Sequence, residues 1–320
     1  MDKSNRFLLN LKRLNQNIPI QNIKSFSTAQ VNASVLRLDT LHTIVSGNKW
    51  YKLKFYIQEA QQEKASTLAS FGGPYSNHLV ALAFAAKQHG FKSVGYVRSN
   101  ENEPLTPTLE DAVRYGMELK RIGRTHFQIM KEELLHQKKI HQEDPSKIYW
   151  IDEGGYGDKG AKGAASILDS IHPNTESKAF THVIAAVGTG TMLAGLIQAA
   201  TPFQQVIGIP ILKNEGSIET EIKALLESTH NYTLHKNQFI LLHHFHLGGY
   251  AKTTSDQFKF MNELWDTEKI PTDIVYTSKV FWAVDQLIKN NYFPPHSKLL
   301  IIHSGGLQGN KSLPSGVLHF

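Results

Sequence analysis

The sequence predicts an α/β protein of two lobes, each a parallel sheet covered by helices in three α/β/α layers. Short apolar runs alternate with stretches of helical periodicity, the pattern of successive βα units. That pattern runs once through residues 67–151 and starts again at residue 182. The 320 residues are also too many for one small core.

In chain order, residues 67–71 read as a buried strand and 72–75 as a loop. Ser76 and Asn77 suit the N-cap of a helix through residues 79–86, and Gly90 ends it. Residues 92–98 form a second strand, 107–115 a helix, and the stretches near 118–122 and 147–151 two more strands. In the second set, residues 182–187 are a strand, 188–191 a tight loop and 192–199 a helix, with further strands at 206–211 and 299–303. The boundaries fall near residues 51 and 155, giving a large domain of 1–51 with 156–320 and a small domain of 52–155. A ligand is expected in the crevice at the carboxyl ends of the strands.

Hydrophobic residues at 41% and charged residues at 19% suit a folded chain. No uninterrupted apolar window is long enough for a membrane helix. The N-terminal apolar stretch is too short for a secretory signal, so the cytoplasm is the expected compartment. The absence of cysteine excludes a disulfide scaffold, a Cys-ligated zinc and a thiol nucleophile. Net charge is +6, but the basic residues are scattered and the densest run is the pair Lys138 and Lys139, so no nucleic-acid partner is expected.

Four segments could carry chemistry. Gly47-Asn48-Lys49, just before a helix, reads from composition alone as a surface lysine; the functional reading is a Schiff-base lysine, which needs a desolvated amine of lowered basicity. The run from Ser70 through Ser76, Asn77 and His78 is either an ordinary βα turn or a carboxylate cradle at a helix N-terminus. Gly188-Thr189-Gly190-Thr191 is either a plain tight turn or a phosphate cup. Its next glycine, Gly195, comes too late for a dinucleotide fingerprint, and no Gly-Lys-Ser/Thr ending follows, so the loop fits one small phosphate better than NAD or ATP. Tyr276-Thr277 and Ser304-Gly305-Gly306 are loops whose hydroxyls could meet a ring nitrogen. His244 and His246 would share one face of a strand, but no third ligand follows and no metal is expected.

Together and in this order, these segments resemble the 1-aminocyclopropane-1-carboxylate (ACC) deaminase and D-cysteine desulfhydrase family of pyridoxal-phosphate (PLP) enzymes, from about Val35 to Gly306. The resemblance implies the tryptophan-synthase-β-like fold, fold type II, and a homodimer acting on a small amino acid. It implies that Lys49 holds the cofactor and moves the Cα proton, that Ser76 with Asn77 and His78 receives the substrate, and that Asn77 bonds the ring hydroxyl. Gly188, Thr189, Gly190 and Thr191 would grip the phosphate, Thr277 and Ser304 would approach the ring nitrogen, and Tyr250 and Tyr276 would line the substrate side. Trp50, Tyr75 and Tyr156 are candidate pocket walls. The chain departs from the family at Ser46, Tyr51 and Lys54, where a glycine, an arginine and an acid are usual.

ACC deaminases resemble one another in carrying a glutamate at the place of Thr277 and a leucine at the place of Ser304. The two hydroxyls here match the desulfhydrase pattern. A neutral hydroxyl makes a weaker electron sink than a carboxylate, which is enough when a good leaving group departs. The expected reaction is α,β-elimination from a D-cysteine-like amino acid to pyruvate, ammonia and sulfide. Ring opening of ACC, dehydration of serine or threonine, and a catalytically silent PLP-binding protein are the alternatives.

Overall fold

A computed structural model describes residues 18–140, 147–169, 171, 179–213, 217–228 and 239–320, with the side chains of 134–140 outside the description. The N-terminal segment read above for a signal, up to residue 17, and the Lys138 and Lys139 side chains therefore lie outside the described residues.

Among the described residues, ten strands form two sheets. Strands β1 (Ile20–Asn22), β2 (Val31–Leu36), β7 (His182–Val187), β8 (Gln205–Pro210), β9 (Phe239–Leu241) and β10 (Ser297–Ile302) make a six-stranded sheet in the order β1-β2-β10-β7-β8-β9. Strands β3 (Thr67–Gly72), β4 (Lys92–Arg98), β5 (Met117–Ile122) and β6 (Ile148–Ile151) make a four-stranded sheet in the order β5-β4-β3-β6. Among the described residues the edge pair β1–β2 is antiparallel and the other pairings are parallel.

Parallel sheets are stable where both faces are covered. All six residues of β3 and of β7 are buried, as that rule requires. In the larger sheet, alternate residues feed different cores: Val183, Ala185, Leu36 and Leu300 face one side, and Ile184, Ala186, Val35 and Ile301 the other.

Nine helices are described: α1 (Asn48–Gln62), α2 (Asn77–His89), α3 (Pro107–Arg114), α4 (Arg124–Ile140), α5 (Asp158–Asp169), α6 (Thr191–Ala199), α7 (Ile218–Glu227), α8 (Ser255–Glu268) and α9 (Thr277–Lys289). Ser76 caps α2 by accepting the Leu79 N–H, and Gly90 closes it in the left-handed conformation. Helices α1, α5 and α6 stack closely. A Cβ at Gly163 would overlap the Tyr51 carbonyl, and one at Gly195 would overlap the Ala161 carbonyl. Gly195, late for a nucleotide fingerprint, thus serves helix packing.

Several expectations change. α1 begins at Asn48, so Lys49 lies inside the first turn of the helix and not before it. The stretch from His243 to Phe245 is a 3-10 turn, so the shared strand face assumed for His244 and His246 does not exist. Tyr276 and Thr277 are not loop: Tyr276 caps α9 and Thr277 opens it. Trp50 is 4% exposed and packs inside the main core. The Tyr156 hydroxyl reaches away to Glu221 on α7 at 2.5 Å.

Candidate active site

Three strand ends deliver the pieces. β10 runs into the segment His303–Gly306, β3 into the loop before α2, and β7 into Gly188–Gly190 before α6. The segment preceding α1 is locked to the end of β10 by backbone contact. Gly47 has φ +66, and a Cβ there would overlap the Ser304 carbonyl. The Asn48 N–H donates to that same carbonyl at 3.0 Å. Only glycine tolerates both the left-handed conformation and the close approach.

Lys49 is half-buried, its Nζ donating to Asn48 Oδ1 at 2.5 Å and lying 5.9 Å from the Tyr276 ring centroid. Desolvation lowers its amine to about 8, against an opposing pull from Asp273. Lys52, one turn on, shares that helix face. It is buried, donates to Gly154 O at 2.6 Å and approaches Thr189 Oγ1 at 3.5 Å. Burial, then the charge of Lys49, pushes the Lys52 amine well below the ordinary lysine value. The Thr189 and Thr191 hydroxyls lie 3.0 Å apart beside it. The buried Lys52 amine against a cup of hydroxyls and helix-terminal N–H groups, with Lys49 one turn away, forms a site for a compact anion.

Asn77 donates from Nδ2 to Gly306 O at 2.9 Å, while its buried Oδ1 has no partner. Ser76 remains half-buried at the helix entrance. His78 turns inward: Nε2 pairs with Ser70 Oγ at 2.9 Å, and burial with the charges of Lys52 and Lys49 holds it down to about 3, so the ring is neutral.

The opposite wall is built on Asp273, which is fully buried. Its Oδ2 accepts the N–H groups of Val275 at 2.8 Å and Tyr276 at 3.0 Å. Its Oδ1 accepts both the N–H and the hydroxyl of Thr277, at 2.8 and 2.7 Å. A carboxylate at a helix N-terminus is favoured by these donors and by the helix dipole. Tyr276 faces Gly188, where a Cβ would lie 3.5 Å from the ring, and meets Tyr250 edge-on at 6.4 Å between centroids. Burial pushes the Tyr250 phenol up to about 12 and the Tyr276 phenol well above its ordinary value, and both remain protonated. Lys279, also fully buried, ties the Tyr250 loop to α9 by donating to His246 O at 2.8 Å and Gly249 O at 2.5 Å.

Contacts therefore link Lys49, Tyr276, Tyr250 and Gly188, link Lys52 to Thr189 and Thr191, link Asn77 to Gly306, and link Gly47 to Ser304. In the sequence Lys52 belongs, with Leu53, to the lysine motif that carries the family resemblance but has no role assigned there, and Asp273 is not marked at all. The spacing of Lys52 from Lys49 was a usable signal; nothing local marks Asp273. The residues fit a small phosphate-bearing aldehyde: an amine of lowered basicity to condense with it, a cationic hydroxyl-lined cup for the phosphate, and an unpartnered buried amide oxygen for a ring hydroxyl.

The model of a pyridoxal-phosphate-dependent enzyme family matches residues 11–305. A Thermotoga maritima protein provisionally named 1-aminocyclopropane-1-carboxylate deaminase is 28% identical over 299 residues, 91% of this chain and 94% of its own. A D-cysteine desulfhydrase of Klebsiella pneumoniae is 26% identical over 286 residues, 85% and 86% of the two chains. The crystal structure of an ACC deaminase homologue superposes with a TM-score of 0.78 at 23% identity, covering 92% of this chain and 90% of that one. That likeness shows the fold, the two-lobed PLP architecture expected from sequence.

Proposed function

From its membership of the pyridoxal-phosphate-dependent enzymes, we propose that this chain is a deaminating lyase which carries out α,β-elimination on a small amino acid of the D-cysteine type. One water is consumed, and pyruvate, ammonia and sulfide are released. The cofactor, when bound, supplies the electron sink that makes the substrate Cα–H acidic.

The chain's own residues do the rest. Lys52, Thr189, Thr191 and the backbone at Gly188 and Gly190 hold the phosphate, and Asn77 holds the ring hydroxyl. Ser76 and the N–H groups at the start of α2 receive the substrate carboxylate. Lys49 Nζ, with its lowered basicity, takes the proton from the substrate Cα, which is the match of basicity to working pH that general-base chemistry needs. Tyr250 and Tyr276 keep their O–H groups and line the side where the β-substituent leaves.

The choice of elimination over ring opening is carried by Thr277: the side chain after Tyr276 is a hydroxyl and not a carboxylate. Cleaving a cyclopropane demands a stronger sink than expelling thiolate. Purified holoenzyme is expected to release sulfide and pyruvate from D-cysteine. Turnover of ACC to 2-oxobutanoate without sulfide from D-cysteine would assign the ring-opening reaction instead. A visible spectrum that no amino acid perturbs would make the protein a silent binder. The proposal includes lobes divided near residues 51 and 155, a homodimer and a cytoplasmic setting; sedimentation of the holoenzyme tests the dimer.

A further inference from the structure

We propose that Lys279 is a positioning residue for Tyr250: its buried ammonium group holds the loop from His246 to Ala251 in a strained shape that sets the Tyr250 hydroxyl at the substrate side of the cleft. This rests on the reading that Tyr250 lines that side.

Lysine is seldom fully buried, and an apolar side chain would fill the same place without the cost of desolvating a charge. Lys279 is nevertheless fully buried, on a helix whose Val280, Phe281 and Ala283 are core residues. Burial draws its amine down to about 8, with Asp273 pulling the other way, so the group is a cation at neutral pH. It donates to two main-chain carbonyls, His246 O at 2.8 Å and Gly249 O at 2.5 Å. The same two oxygens also accept the N–H groups of Gly249 at 3.0 Å and Lys252 at 3.2 Å. Each carbonyl therefore has a backbone donor of its own. What the ammonium adds is a charge on which two carbonyl dipoles converge, and opposite charge between them offsets their mutual repulsion.

The loop so gathered is sharply bent. Leu247, Gly248, Gly249 and Ala251 have φ of +47, +87, +112 and +53. Leu247 and Ala251 are not glycine, and the left-handed region is unfavourable to both, so a tertiary contact must hold them there. Tyr250 stands inside this run. Its ring meets Tyr276 edge-on at 6.4 Å, and the Tyr276 ring centroid lies 5.9 Å from Lys49 Nζ. Tyr276 and Lys279 both belong to the start of α9. One helix end thus carries Tyr276 and, through Lys279, fixes Tyr250 against it.

The test compares Lys279→Met, which keeps the stem and deletes the ammonium, with Tyr250→Phe, which deletes the hydroxyl. A displacement of about 1 Å at a reacting site can cost about 100-fold, so Lys279→Met is expected to lower kcat for D-cysteine by about 10- to 100-fold. The dissociation constant for pyridoxal phosphate is expected to stay unchanged, since Lys49 and the cup are untouched. Added to Tyr250→Phe, Lys279→Met is expected to cost little more, because no hydroxyl remains to be placed. In the apoprotein, hydrogen exchange at the Gly249 and Lys252 amides is expected to quicken by about tenfold or more in Lys279→Met, while Tm does not fall. Equal losses with and without the Tyr250 hydroxyl overturn the proposal, as does unchanged exchange in the loop. A lowered Tm with a weaker cofactor complex assigns Lys279 to general stability and overturns it too. If the wild type turns over ACC and not D-cysteine, the same comparison is made with ACC, and the reaction assignment fails while the positioning role is still decided. If Tyr250→Phe alone leaves turnover unchanged, or the wild type turns over neither amino acid, the premise is wrong and the proposal falls with it. Should Lys279→Met not fold, Lys279→Gln, which keeps an amide donor for the carbonyls, carries the same comparison with smaller losses.

Discussion

The two walls of the cleft handle buried charge in opposite ways. Just before α9, Asp273 receives four hydrogen bonds from Val275, Tyr276 and Thr277 at the entrance of that helix, and its charge is satisfied before anything binds. On α1, Lys49 and Lys52 are desolvated side by side, they donate to the uncharged oxygens of Asn48, Gly154 and Thr189, and both lose basicity. A finished carboxylate shapes the site; an unfinished pair of amines requires a ligand that brings negative charge. Buried charges left uncompensated cost several kcal/mol, which is why both amines lose basicity.

The contrast is broken most severely at Lys49. Lys49→Ala removes the amine that captures the cofactor and moves the Cα proton. A loss of about 100- to 10,000-fold in turnover is expected, together with the visible absorbance of the covalently held cofactor; sulfide release and an absorption spectrum measure both. Next is Gly47→Ala, which forces a Cβ into the Ser304 carbonyl where the two walls join. With the left-handed conformation adding strain, a cost of about 3 kcal/mol is expected, read as a lowered Tm of the apoprotein.

Lys52→Met keeps the stem of the side chain and deletes the cation at the cup. A charge-assisted bond to a phosphate contributes about 1.5–3 kcal/mol, so the dissociation constant for pyridoxal phosphate should rise by about 10- to 100-fold in a fluorescence titration. An unchanged constant would place the phosphate elsewhere. The mildest perturbation is pH. The neutral Lys49 amine is the nucleophile, and its lowered value means that the neutral fraction grows as pH rises toward about 8 and saturates above it. The rate of cofactor capture by apoprotein should climb by about tenfold per pH unit below that point and level off beyond it. A rate still climbing toward the ordinary lysine range would show an exposed amine.

Much of the site was readable because its chemistry depends on backbone and spacing. Gly47 before Lys49, the small residues from Gly188 to Thr191, and the Ser76 cap all announce local geometry: the structure sets the last two after strands β7 and β3 and packs Gly47 against the segment that follows β10. His78 was readable as a member of its loop but not in its direction, since only packing turns the ring toward Ser70 on β3. Helices α5, α8 and α9 are hard to read in the sequence because their apolar residues are interspersed with polar ones. The His243–Phe245 turn escaped it for a different reason: alternation over so few residues does not distinguish a strand from a bend.

By itself the sequence determined the class of fold, because apolar periodicity is a property of neighbouring residues, and the order of its short motifs carried the family resemblance that names the cofactor. Tertiary structure alone decided which charges meet. Asp273 sits in an unremarkable stretch of chain and gains its place from the first turn of α9, while Lys52 becomes a cup residue only because α1 is drawn against α5 through Gly163. Electrostatic effects depend on distance and burial in space, and neither is written in the order of the residues.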